Sequence, residues 1–80
     1  MTASEQHAPT PRLILTARER QLCELLVQGY EQAEMAKAAG MAPRTVKAYM
    51  ARIYAKNGIS DGIRRVKLAV LFYREQNGAA

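Results

Sequence analysis

Apolar positions along this chain fall at helical rather than strand spacing, and they do so in four separate blocks. Leu15, Leu22, Leu25 and Leu26 form the first stripe. Ala33, Met35, Ala36 and Ala39 form a second, made of small surfaces suited to close packing, and Val46, Met50 and Ile53, with Tyr49 beside them, form a third. Recurrence at i, i+3, i+4 and i+7 is the signature of a helix burying one face. The fourth block divides in two: at 100° per residue Ile63, Val66, Ala69, Val70 and Tyr73 fall on one side of a helix, and Leu68, Leu71 and Phe72 on another. Two apolar faces require two partners, so the first set is expected to close the core and the second to be left exposed.

Punctuation between the blocks sets the helix ends. Thr16-Ala17-Arg18-Glu19 reads as a capping box, in which the threonine hydroxyl accepts from the backbone of residue 19 and the Glu19 carboxylate reaches back. Gly29 supplies the left-handed residue that ends this helix, and a short second helix from about Gln32 to Ala39 is stopped by Gly40. Pro43 suits a first helical position, so a third helix is predicted over Pro43 to Lys56. Asn57-Gly58-Ile59-Ser60 ends it, with Ile59 folding back onto the core. Ser60 or Asp61 is expected to cap a fourth helix, about Gly62 to Gln76. The fold class is therefore all-α, a four-helix domain over residues 13–77. Residues 1–12, with two prolines and few apolar groups, read as a flexible tail.

Charge changes what this architecture implies. The chain of 80 residues carries a net charge of +5, and it is unevenly spread: residues 1–41 are net −1 and residues 42–80 net +6. No carboxylate stands between Ala42 and Ser60. The exposed side of the third helix presents Arg44, Lys47, Ala48 and Ala51, flanked by Arg52 and Lys56. A basic helix with small residues between its charges can lie close to a polyanion and bring its backbone near base edges in a major groove. Two short helices joined by a glycine turn, the second of them basic, is the helix-turn-helix arrangement. Lys47, one turn after Arg44, is expected to reach into the groove, and Arg52 and Lys56 to meet phosphates.

Other chemistry finds little support. His7 lies in the tail with no ligand cluster around it, so no metal or cofactor is expected, and no phosphate-binding glycine loop occurs. Cys23, the one cysteine, sits in an apolar run, which fits a packed side chain in a reducing cytosol. No apolar run is long enough to span a membrane. An enzyme is not expected.

The chain resembles the LuxR family, also called the GerE or NarL/FixJ type, over roughly Leu15 to Tyr73. Leu15-Thr16-x-Arg18-Glu19 with Gly29 is similar to the family's L-T-x-R-E and its glycine. Glu34-Met35-Ala36 is similar to E-I-A, Thr45-Val46-Lys47 to T-V-K, and Lys56 with Gly58-Ile59 to the end of the recognition helix. The resemblance implies a bacterial, cytoplasmic transcription regulator whose third helix occupies the major groove of duplex DNA. Lys47 would contact a base or phosphate, Thr45 would hold the backbone, and the fourth helix would pair with its counterpart. Leu68, Leu71 and Phe72, rimmed by Arg64 and Arg65, are then the expected homodimer contact, which calls for an inverted-repeat site. With so short a segment ahead of the domain, a free-standing regulator is expected. Two departures favour an alternative, a helix-turn-helix that titrates another regulator or contacts RNA polymerase. Glu31 starts the second helix where the family has a serine or similar cap, and Ala42 replaces the usual serine cap of the third.

Overall fold

A computed structural model describes residues 12–78. Among them the chain forms α1 (Ala17–Val27), α2 (Gln32–Ala39), α3 (Pro43–Lys56) and α4 (Arg64–Gly78), with no strand. The all-α expectation is met, and the limits expected for α2 and α3 are those observed. The helix α1 is central: it packs against α4, α2 and α3, while α2 and α3 pack on each other as the two arms of the helix-turn-helix.

Local chemistry explains these limits. Thr16 caps α1 as expected, its Oγ1 accepting from the Glu19 N–H at 3.1 Å and its own N–H donating to Glu19 Oε1 at 2.9 Å. Gly40, at φ +69°, lets the chain turn back so that the Met41 N–H reaches the Ala36 carbonyl at 2.9 Å. This is the left-handed helix ending, and a side chain at that φ is strained. Pro43 opens α3 behind Ala42, which contributes no side-chain cap. At the other end Gly58, at φ +70°, brings Ile59 back so that its N–H meets the Tyr54 carbonyl at 2.9 Å and its side chain enters the core.

One continuous core joins Leu22, Cys23 and Leu26 of α1, Met35, Ala36 and Ala39 of α2, Val46, Met50, Ile53 and Tyr54 of α3, and Leu68 and Phe72 of α4. Here the structure corrects the expectation for α4. Leu68 and Phe72 are each 0% exposed and Leu71 is half-buried, whereas Ile63, Val66, Val70 and Tyr73 keep 69%, 50%, 42% and 61% of their surface in contact with solvent. The assignment of faces is inverted, and Leu68 and Phe72 cannot form an exposed dimer contact. The reason lies in what borders each stripe. Glu75 lies on the Leu68–Phe72 side, and there it accepts from Arg20 of α1 at 3.1 Å and from the Leu13 N–H at 3.0 Å. Arg20 also lies 5.5 Å from the centre of the Phe72 ring. Polar groups thus bracket Leu68 and Phe72, the two buried side chains of α4, and Ile63, Val66, Val70 and Tyr73 are left outside. The helix begins at Arg64, later than expected, with the carbonyl of Ile63 accepting from the Lys67 N–H, so neither Ser60 nor Asp61 stands directly ahead of it. The tail expected over residues 1–12 lies, but for Arg12, outside the described residues.

Candidate nucleic-acid interface

The helix α3 divides along its length into two faces. Val46, Met50, Ile53 and Tyr54 are buried, Tyr49 is half-buried, and Arg44, Thr45, Lys47, Ala48, Ala51, Arg52 and Ala55 are exposed. The expected contact residues other than Lys56 therefore share the outer side of one helix. Among the described residues Arg44, Lys47 and Arg52 enter no ion pair. Their charges stay available to an external anion. The Arg52 guanidinium lies 5.4 Å from the centre of the Tyr49 ring, a cation–π distance.

Lys56 behaves differently. Its Nζ is paired with Glu19, a carboxylate 1% exposed, and the lysine itself is 29% exposed. Burial pushes the Glu19 carboxyl up, but Lys56 and the Thr16 hydrogen bonds outweigh it and leave the group below its ordinary value. This pair ties the end of α3 to the start of α1. Lys56 is thus committed within the fold rather than extended toward a partner's phosphates.

The basic pair at the start of α4 is also engaged. Arg64 lies 4.8 Å from the centre of the Tyr54 ring, and Arg65 Nη1 donates to Glu31 Oε1 at 2.8 Å. Glu31, at the start of α2, therefore turns toward α4. Its backbone N–H is taken by Glu34 Oε1 at 2.8 Å.

Three residues that position the site carried roles the sequence reading did not assign. Arg18 donates to the carbonyl of Ala39 at 3.0 Å, placing a cation at the C-terminal end of α2, where the helix dipole favours it. Asn57 Oδ1 accepts from the Ile14 N–H at 2.6 Å, and its Nδ2 donates to the carbonyls of Ile14 at 3.1 Å and Ile53 at 2.8 Å. Glu75 completes the set through Leu13. The available signals were an amide residue at 57, able to bond backbone groups from the end of the basic helix, and a carboxylate at 75 on the same helical side as Leu68 and Phe72. Cys23 is buried, and that burial raises its thiol to about 12, so it is an inert packing group. Among the described residues no group of three histidine, cysteine or carboxylate side chains is placed to hold a metal, and no helix is long and apolar enough to cross a membrane.

The family of bacterial regulatory proteins designated luxR matches residues 13–70. The transcriptional regulatory protein UhpA of Escherichia coli (strain K12) is 41% identical over 49 residues, which cover 61% of this chain and 25% of that protein. UhpA of Salmonella typhimurium matches with the same figures. The probable transcriptional regulatory protein SgaR of Hyphomicrobium methylovorum is 35% identical over 63 residues, covering 79% of this chain and 30% of the relative. The chain thus spans between 25% and 30% of the length of these curated relatives. No solved structure matches it.

Proposed function

Because this chain belongs to the luxR family of bacterial regulatory proteins and carries its DNA-binding helix-turn-helix domain, we propose that it regulates transcription by laying α3 in the major groove of duplex DNA, as a homodimer on an inverted repeat. The family is one of regulators, and the domain is not an enzyme. The observation that carries the reading is the outer face of α3, where Arg44, Lys47 and Arg52 stand free of carboxylates among Ala48, Ala51 and Ala55. Arg44, Lys47 and Arg52 supply cations to phosphates and base edges, Thr45 steadies the backbone contact, and the alanines allow close approach.

Dimerisation is assigned here to the opposite face of α4 from the one the sequence suggested. Ile63, Val66, Val70 and Tyr73 form an exposed apolar stripe, and Val66 also lines an open cleft with Leu26, Tyr30 and Ala69. A stripe that meets itself across a two-fold axis presents two copies of α3 to one face of DNA. Leu71, half-buried, packs against the core instead.

Titration of duplex DNA at two salt concentrations tests the proposal. Binding should weaken with log salt by about 0.9 per phosphate neutralised. A salt-independent association, or none, favours the second reading, a protein-interaction module that contacts another regulator or RNA polymerase. Glu31, a carboxylate at the start of α2, is the feature that supports this second reading.

A further inference from the structure

We propose that Tyr49 positions Arg52 to read a guanine, making Arg52 the residue of α3 that sets base preference rather than one more phosphate contact. The inference rests on the reading of α3 as the groove-facing helix. At 3.6 residues per turn, Arg52 lies about 40° from the direction opposite the buried Val46, Met50, Ile53 and Tyr54, whereas Lys47 lies about 100° away from it. Arg52 is thus near the centre of the outward face and Lys47 at its margin. Its neighbours one turn away on that face, Ala48 and Ala55, carry only methyl groups and are exposed. Lys56, also one turn on, is drawn aside by Glu19.

The Tyr49 ring supplies what a base contact needs. Tyr49 is half-buried, so its ring is held by the core, and the Arg52 guanidinium lies 5.4 Å from the ring centre. A cation–π contact of this kind favours one placement of the guanidinium and reduces its rotamer freedom before binding. A planar fork of N–H donors placed in this way matches the O6 and N7 acceptors of guanine, which lie side by side in the major groove. A phosphate also takes an arginine fork, but it accepts a lysine as a point charge as well, so it does not require a guanidinium held in one orientation. Arg44 and Lys47 have no aromatic partner of this kind among the described residues.

The test is selection of bound sites from a randomised duplex pool by the full chain and by Arg52→Lys, Arg52→Ala and Tyr49→Leu, with circular dichroism to verify folding. The wild type should enrich guanine at one position of each half-site. Arg52→Lys keeps the charge and loses the fork: it should retain the salt slope, lose enrichment at that position alone, and bind the wild-type site about tenfold more weakly or worse. Tyr49→Leu should blunt the same position and leave the others intact. If Arg52→Lys selects the same site as strongly as the wild type, or Arg52→Ala weakens all sequences equally, Arg52 is a phosphate contact and the inference falls. Because Arg52→Lys is a surface change, the result stands even if Tyr49→Leu unfolds. A wild type that binds no duplex overturns instead the reading of α3 on which the inference depends.

Discussion

Glu19 shows how a single residue can serve a helix end and a tertiary contact together. Its backbone and carboxylate complete the Thr16 cap, while the same carboxylate holds Lys56 at the far end of the helix-turn-helix. A buried carboxylate without such partners would be strongly destabilising, and with them it is held ionised. The sign of the pH dependence follows. The folded-state value lies below the ordinary 4.5, so the contribution is fully present above that pH and is lost as pH falls through the depressed value. Urea unfolding of the wild type should therefore show stability falling on acidification below 4.5, and Glu19→Gln should flatten that slope while lowering stability at neutral pH. An unchanged slope in the variant would assign the acid sensitivity to other carboxylates. Lys56 enters DNA binding, on this account, only through the position of α3.

At the scale of an element, α4 is the informative case. Leu68→Glu should place a carboxylate into a fully closed core and unfold the domain, at a cost of several kcal/mol. Val70→Glu, on the exposed stripe, should leave the circular dichroism spectrum and melting temperature close to wild type yet abolish cooperative occupation of two half-sites. Sedimentation and half-site titrations check this: a folded Val70→Glu chain that still fills both half-sites cooperatively would place the dimer contact elsewhere. The contrast also shows what the sequence made legible. The caps and limits of α1 to α3 were readable because each rests on residues a few positions apart: Thr16 with Glu19, the turn at Gly40, Pro43 behind Ala42. The two faces of α4 were not distinguishable in that way, since both are apolar at the same spacing. What separates them is Glu75 meeting Arg20 and Leu13, contacts made across 55 and 62 positions of the chain. The candidate interface followed the same division. The period of α3 identified its exposed face, but the removal of Lys56 by Glu19, 37 positions earlier, and of Arg65 by Glu31, 34 positions earlier, required the fold.

For the whole molecule, charge is arranged so that the start of α2 and the start of α4 restrain each other. Glu31 and Arg65 remain well exposed, with side chains 69% and 46% accessible, so their pair is worth little to stability. Its weight falls instead on the field an approaching polyanion meets. Glu31→Gln should leave melting nearly unchanged, release the Arg65 guanidinium, and strengthen binding to duplex DNA at low salt. The gain should shrink as salt screens it, which titrations of variant and wild type at matched ionic strengths would reveal. A gain that does not vary with salt would point to a change of shape at the start of α2 rather than of charge.

Asn57 and Glu75 hold the segment just ahead of α1 from two sides, one at the end of α3 and the other on α4. The backbone of Leu13 and Ile14 is therefore moored to both helices before the first helical turn begins. A mechanical pull on the chain at this point should load these anchors before it reaches α1. The load divides between two anchors, and one of them is the last turn of the helix assigned to the groove. Tension applied ahead of Leu13 should in this way be shared with the end of α3.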